Sequence, residues 1–307
     1  MRERPVGLDE GDLSAALAAG WAIEAAAIDY LPVGAGSFHW SVTDDHGRSW
    51  FVKVDRDGPD LRRSFATALA LHRAGLDVVV APVPTLDDAI VHPLPRGYAV
   101  TVFPLLDGTP GDFGPHHPED IPEISGILTA LHRATPAVAD LAPRTDLRLP
   151  GRHDLEAALS DLDRPWTSGP HAEPARALLH RHATRIQDWL AEFDRLTEAV
   201  RATTPTWVVT HGEPHPGNVL RTPAGPRLID WTTVRIAPPE RDFWMLTTML
   251  GAEPVDLGLP LSPTATALYR RAWILADVAA FTTDLRTPHR DDADTAAALT
   301  YLTGYLD

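Results

Sequence analysis

The spacing of apolar residues changes period along this chain, and that change restricts the fold more tightly than any residue count. Leu13, Ala16, Leu17 and Trp21 recur at helical spacing and predict a short helix over 8–21. Alternation then takes over. It predicts strands over 23–33, 38–42 and 49–54, with turns at Gly34-Ala35-Gly36-Ser37 and Asp44-Asp45-His46-Gly47. A helix over 59–74 stops at Gly75, and two further strands cover 89–91 and 98–103. Past Leu105-Leu106-Asp107-Gly108 the period is helical, with one stripe through Ile124, Ile127, Leu128 and Leu131 and a longer one from Leu179 to Val200. His182 falls on the longer stripe and reads as a satisfied core histidine. Another helix starts at Ser262-Pro263. Residues 206–233 interrupt this texture with strand pattern. The expected product is α+β: a small antiparallel-sheet lobe with one packed helix over 1–104, and a large helical lobe over 105–307.

Composition removes several chemistries. The 307 residues include no cysteine, so disulfides, thiolate zinc sites, iron–sulfur clusters and cysteine nucleophiles are excluded. A formal charge of −15 lacks the positive footprint of nucleic-acid binding and suits a neutral or cationic small partner. No apolar run reaches the ~18–20 residues of a membrane span. Residues 1–5 lead into no signal-peptide core, so a cytoplasmic protein without membrane attachment is expected.

Among 27 basic residues Lys53 is the single lysine. Arginine supplies a solvated positive charge equally well, and the rest of this Ala- and Pro-rich chain uses it. A lysine retained on the third strand points to a need for a compact charge on a flexible stem.

The island at 206–233 carries the densest chemistry. It runs Trp207-Val208-Val209-Thr210-His211-Gly212-Glu213-Pro214-His215-Pro216-Gly217-Asn218 and continues to Asp230-Trp231. A strand ends at His211, and a Gly- and Pro-rich loop follows. A hairpin then turns through Pro223-Ala224-Gly225-Pro226. Asn218 and Asp230 stand at equal distance from Ala224, which predicts that they meet at the open end of the hairpin. A carboxamide oxygen and a carboxylate there can hold a hard divalent cation together with phosphate oxygens. Glu213 lies in the loop feeding the same end.

Other metal readings fit less well. A metalloprotease needs H-E-x-x-H on one helix face, and the prolines here forbid that helix. His211-Gly212-Glu213 matches the start of a zinc-deaminase motif, whose cysteines are missing. A zinc site on His211 and His215 has no evident third ligand.

Taken together, these residues resemble the kinase-like aminoglycoside phosphotransferase family, including its spectinomycin phosphotransferase type. Gly34, Gly36 and Ser37 stand where that family has its Gly-rich loop, and Lys53 where it has its third-strand lysine. His211 to Asn218 matches its catalytic loop, and Ile229-Asp230-Trp231 its metal-binding segment. The resemblance covers roughly residues 20–250. It implies a two-lobed, protein-kinase-like α+β fold and an ATP- or GTP-dependent O-phosphotransferase that uses Mg²⁺. By resemblance, Gly34, Gly36, Ser37 and Lys53 hold the nucleotide phosphates, and Asn218 and Asp230 bind the metal. Glu213 is the catalytic carboxylate, and His211 and Asp242 brace the loop. The base lies against Phe103 and Leu105, where Pro104 has no N–H to offer. Two departures stand out. The family's catalytic Asp is Glu213 here. The helix over 59–74 lacks the Glu that usually pairs with the lysine, expected near Ser64, which leaves Asp230 or the phosphates as partners of Lys53.

The implied acceptor is a small hydroxylated molecule, an aminoglycoside-like antibiotic first, which an acidic helical lobe would also favour. A metabolite kinase acting on an amino-alcohol or sugar is the alternative. A nucleotide-binding pseudokinase that senses or binds a partner is the alternative of another class.

Overall fold

A computed structural model describes the protein over residues 1–5, 7–34, 36–203, 206–249 and 256–307. The elements in chain order begin α1 (Glu10–Trp21), β1 (Ala25–Leu31), β2 (Phe38–Asp44), β3 (Ser49–Arg56), α2 (Pro59–Arg73), β4 (His92–Leu94), β5 (Tyr98–Pro104) and β6 (Thr109–Pro110). They continue α3 (Ile121–Arg133), α4 (Thr135–Val138), α5 (Arg152–Ser160), α6 (Ala172–Ala202), β7 (Val208–Thr210), β8 (Val219–Thr222), β9 (Gly225–Leu228) and β10 (Arg235–Ala237). Three helices close the chain: α7 (Glu240–Thr248), α8 (Pro263–Arg286) and α9 (Ala293–Leu306). By packing, the chain divides into two compact units, 1–145 with 206–259 and 146–205 with 260–307. The boundary expected near residue 104 marks the change of period, which is a different division of the chain.

The first unit is built on a five-stranded antiparallel sheet of order β1-β2-β3-β5-β4. Side chains alternate faces along each strand, so this sheet has two unlike sides. Trp40, Val42, Val52, Val54, Val100 and Val102 turn to one side and pack on Leu13, Leu17 and Trp21 of α1. A capping box of Asp9 and Asp12 starts α1, and Trp21 Nε1 donates to the Val83 carbonyl at 2.8 Å. The intervening residues Phe51, Lys53 and Asp55 turn to the other side. Register places Lys53 opposite His39 and Thr101, and Phe51 opposite Ser41 and Phe103. On this side the Phe65 ring of α2 meets Phe103 edge-on at 5.5 Å, and the Lys53 ammonium lies 5.9 Å from the Phe65 ring centre.

One strand differs from expectation. The pattern at 89–91 is not a strand; pairing with β5 begins at His92 and runs through Pro93. A proline inside a strand reads as a stop, yet β4 is the sheet edge, where a missing N–H costs no ladder bond. The short strands β6, β8 and β9 form a second sheet, and β7 pairs with β10. The island over 206–233 therefore belongs to the same unit as Lys53.

The second unit is helical. Leu179, Ile186, Leu190 and Phe193 form the buried stripe of α6, with Leu275 and Val278 of α8 and Leu302 and Leu306 of α9 in the same core. His182 is half-buried, with Nε2 3.0 Å from Asp307 Oδ1, rather than a core residue. Among the described residues no helix is long and apolar enough to cross a membrane.

Asp277 of α8 is partly buried and accepts the Tyr305 hydroxyl at 2.6 Å. Burial pushes its carboxyl from 3.8 up to about 6 against that hydrogen bond. The folded value exceeds the unfolded one, so its favourable contribution is present below pH 4 and is lost as pH rises through 6. Asp277→Asn keeps an acceptor for Tyr305 and removes the penalised charge. The variant should be more stable than wild type by about 2–3 kcal/mol at pH 7.5, with the gain gone near pH 3. Thermal melts at both pH values check this, and a gain of equal size at both would refute the titration account.

Candidate active site

Lys53 and Asp230 are the centre of the site. Asp230 leaves β9 in a left-handed conformation, φ 60° and ψ 73°, which redirects the chain and swings its carboxylate towards β3. Its Oδ1 accepts from Lys53 Nζ at 2.6 Å and from the Thr232 hydroxyl at 2.8 Å. Lys53 is 3% exposed. Burial works against its charge, but the carboxylates of Asp230, Asp55 and Glu213 outweigh it and raise the ammonium above its usual value. Burial likewise opposes the Asp230 charge, and the lysine beside it holds the carboxyl below the ordinary range. Asp55, two residues along the same face, has its Oδ1 3.7 Å from Nζ and accepts the Ser37 hydroxyl.

The catalytic-loop segment is fixed from below. Asp242 is fully buried; Oδ1 accepts the Gly212 N–H at 2.6 Å, and Oδ2 accepts the His211 N–H at 3.1 Å and His132 Nε2 at 2.8 Å. Gly212 has φ 99°, where an L side chain is strained, and a Cβ there would lie 2.3 Å from the Arg241 guanidinium and displace it. Arg241 in turn donates to the Thr210 hydroxyl and the Thr233 carbonyl. His211 donates from Nε2 to the Ile229 carbonyl at 2.9 Å and accepts the Glu213 N–H on Nδ1 at 3.3 Å. Both ring nitrogens are thereby used, and burial keeps the ring neutral. A zinc reading for His211 and His215 thereby loses His211 as a donor.

The hairpin register is one residue off the expected symmetry. Val219 pairs with Leu228 and Thr222 with Gly225, so the turn is centred between Pro223 and Ala224. Asn218 therefore faces Ile229, whose N–H donates to the Asn218 carbonyl at 3.1 Å, and Asp230 lies one residue beyond. The Asn218 amide nitrogen donates to the Glu213 carbonyl at 2.9 Å and meets His215 Nε2 at 3.2 Å, which turns its oxygen away from the loop. Asn218 Oδ1 and Asp230 Oδ2 then remain as oxygen donors. Two such oxygens fit a hard divalent ion that completes its shell with water and phosphate. Among the described residues no three His, Asp or Glu side chains converge as a metal site.

Gly34 and Gly36 take φ 70° and 79°, as a loop that exposes backbone amides requires; Ala35 lies outside the described residues. Phe103 is buried, whereas Leu105 is exposed with its N–H directed to the Ser49 carbonyl at 3.4 Å. Residues 111–116 lie along the catalytic loop. Gly111 N–H donates to Pro216 O at 3.0 Å, His116 Nε2 to Pro214 O at 2.7 Å, and the half-exposed Phe113 ring meets His215 edge-on at 4.9 Å.

A buried lysine beside a carboxylate, a carboxamide and a second carboxylate in an adjacent loop can neutralise phosphates, share a metal and take up a proton. Residues 29–281 match the phosphotransferase enzyme family. The chain belongs to that family. This phosphotransferase is 29% identical to protein StrN of Streptomyces griseus over 290 residues, covering 91% of the chain and 86% of that relative. Its fold is that of a solved spectinomycin phosphotransferase in complex with ADP and spectinomycin, with a TM-score of 0.76 at 16% identity, covering 97% and 94% of the two chains. A microcompartment-associated aminopropanol kinase follows with a TM-score of 0.62 at 19% identity, covering 97% and 95%. The kinase-like α+β architecture expected from the sequence is thereby established.

Sequence reasoning missed His132, Arg241 and Asp55. His132 lies one turn beyond Leu128 on the α3 stripe, and Asp55 shares the Lys53 face by simple alternation, so both had a signal.

Proposed function

We propose that this phosphotransferase moves the γ-phosphoryl group of ATP or GTP to a hydroxyl of a small molecule in the cytoplasm. The observation that carries the reading is the bond from Lys53 to Asp230, which joins residues 177 apart in sequence, with the Glu213 carboxylate near enough to act on the same ammonium. The Gly34 to Ser37 loop covers the phosphates, Lys53 neutralises them, and the base rests on the Phe103 and Leu105 side chains. In this reading residues 1–104 form the nucleotide lobe and 105–307 carry the acceptor. Asn218 and Asp230 hold Mg²⁺, which supplies charge neutralisation for the phosphates. The acceptor oxygen forms its bond to the γ-phosphorus as the bond to the β-phosphate oxygen breaks; the hydroxyl proton passes to the Glu213 carboxylate, and the nucleoside diphosphate leaves. Phe113, beside His215, offers the acceptor an apolar wall.

Likeness to spectinomycin phosphotransferase supports an aminoglycoside-like antibiotic as acceptor. Likeness to an aminopropanol kinase supports an amino-alcohol as the second reading. Charge does not choose between them, because most of the acid excess falls in the unit with Lys53 rather than in the helical unit. A nucleotide-consumption screen across antibiotics and hydroxylated metabolites decides the acceptor. Nucleotide binding with no transfer to any acceptor would support a pseudokinase instead.

Lys53→Ala should lower nucleotide affinity and turnover by about 10²–10³-fold, the scale for losing a preorganised charge at a reacting phosphoryl group. Lys53→Met retains the packing on Phe65 and should lose as much. Calorimetric nucleotide titration checks both, and affinity within twofold of wild type would remove Lys53 from the site.

A further inference from the structure

Helix α2 supplies no carboxylate to Lys53. Ser64, where a partner acid is expected, is fully buried and accepts Arg235 Nη1 at 3.0 Å, while Arg235 Nη2 lies 3.2 Å from Asp60 Oδ2. A guanidinium is bonded at the point on the helix where the lysine would need an acid. The present partner, Asp230, is also a metal-ligand candidate, and its Oδ1 is spent on the ammonium at 2.6 Å. A metal–nucleotide needs that carboxylate released from the lysine.

Asp55 is built to receive the lysine. It is 8% exposed, on the same strand face, and its Oδ1 is already 3.7 Å from Nζ. A movement of about 1 Å brings the pair into the ~2.7–2.9 Å range of a charge-assisted bond. Its other oxygen, Oδ2, is buried without a hydrogen-bond partner. A buried carboxylate oxygen left unpaired is unfavourable and calls for a reason. Burial raises the Asp55 carboxyl above its usual value, with Lys53 opposing, so a closer ammonium would relieve it. Oδ1 also accepts the hydroxyl of Ser37, in the loop that covers the phosphates.

We propose that Asp55 is a positioning residue for phosphoryl transfer: it takes the Lys53 ammonium from Asp230 when the magnesium nucleotide binds, and through Ser37 it sets the phosphate-covering loop against that lysine. The inference rests on the proposed function above. The acid that other kinase-like enzymes carry on the helix is moved here onto the lysine's own strand. Lys53 exchanges one carboxylate for another, and Asp230 is released to the metal.

The test is binding of a fluorescent N-methylanthraniloyl ATP as Mg²⁺ is titrated, together with kcat and KM wherever an acceptor is known. Asp55→Asn keeps an acceptor for Ser37 but removes the charge, so the lysine stays on Asp230. The Mg²⁺ concentration for half-maximal binding should rise by about 10-fold or more, the scale for residues that orient metal ligands, and kcat should fall with acceptor KM unchanged. Ser37→Ala keeps the charge and cuts the loop tie; it should weaken nucleotide binding about 3–10-fold with the wild-type Mg²⁺ dependence. Asp55→Ser serves as the second charge-free variant if Asp55→Asn folds poorly. Wild-type Mg²⁺ dependence in the charge-free variants overturns the proposal, as does the same shift in Ser37→Ala, which would reduce Asp55 to a loop anchor. Wild-type protein that binds magnesium nucleotide but transfers to no acceptor defeats the proposed transfer alone, and the binding titration still decides Asp55. Wild-type protein that binds no nucleotide defeats both.

Discussion

Asp230→Ala should abolish magnesium-stimulated nucleotide binding and lower turnover by at least about 10³-fold, because one substitution removes both the proposed metal ligand and the counter-ion of Lys53. The two losses can be separated. Without magnesium, the variant should bind nucleotide at least as well as wild type, since the carboxylate no longer competes with the phosphates for the ammonium at 2.6 Å. With magnesium, wild-type affinity rises and the variant's does not. Asp230→Asn keeps the shape and an acceptor for Lys53 and Thr232, and should show the same loss of magnesium response. The Lys53 ammonium holds the Asp230 carboxyl below its ordinary 3.8 despite burial. A depressed carboxylate keeps its charge above the unfolded value and loses it only as pH falls through the lower folded value. The magnesium response of the wild type should therefore persist from pH 8 to pH 5 on this residue's account. Normal turnover by Asp230→Ala at ordinary magnesium would end the metal assignment.

The residues that meet in this site were legible because each belongs to a local pattern. Alternation alone puts Phe51, Lys53 and Asp55 on one face and Val52 and Val54 on the other, as found. The solitary lysine marked its strand before any contact was known. The hairpin was legible as a hairpin, but its register was not: a two-residue turn at Pro223-Ala224 moves the centre half a residue from Ala224 and so the pairing by one residue. The left-handed backbone of Asp230, beside its bond to Lys53, was not legible either, because no residue type announces that conformation in an aspartate. Strands as short as β6 and β10 carry no measurable period.

Contacts across long separations were illegible for a different reason. The absence of a helix acid could be read from residues 59–74, but not the presence of Arg235 bonded to Ser64 across 171 residues. Likewise Asp242 could be placed under the loop only by resemblance. Its bonds to His211, Gly212 and His132 arise because α3 and α7 pack together beside β7, which depends on tertiary packing rather than on any motif.

Glu213→Gln should lower kcat by about 10²–10⁴-fold with nucleotide binding intact, the usual scale for a positioned acid–base group. The substitution keeps the side chain's length and removes its capacity to take a proton. Glu213→Asp asks whether the loop is fitted to the longer acid. The structure argues that it is. The Glu213 N–H is held by His211 Nδ1 at 3.3 Å and its carbonyl by the Asn218 amide at 2.9 Å. The preceding Gly212 N–H is held by buried Asp242 at 2.6 Å. A backbone pinned at each of these points cannot advance to make up the ~1.5 Å of reach that one methylene provides. A displacement of that order costs about 10²-fold in a site that works by positioning. Glu213→Asp should therefore lose about 10–10²-fold in kcat although it restores the residue usual in the family. It should keep the proton-acceptor limb of the pH profile that Glu213→Gln lacks. A pseudokinase would give no transfer in the wild type and equal nucleotide binding in all three proteins. Full activity in Glu213→Gln with the acceptor normally bound would remove this carboxylate from the mechanism and leave Lys53, Asn218 and Asp230 as the source of rate.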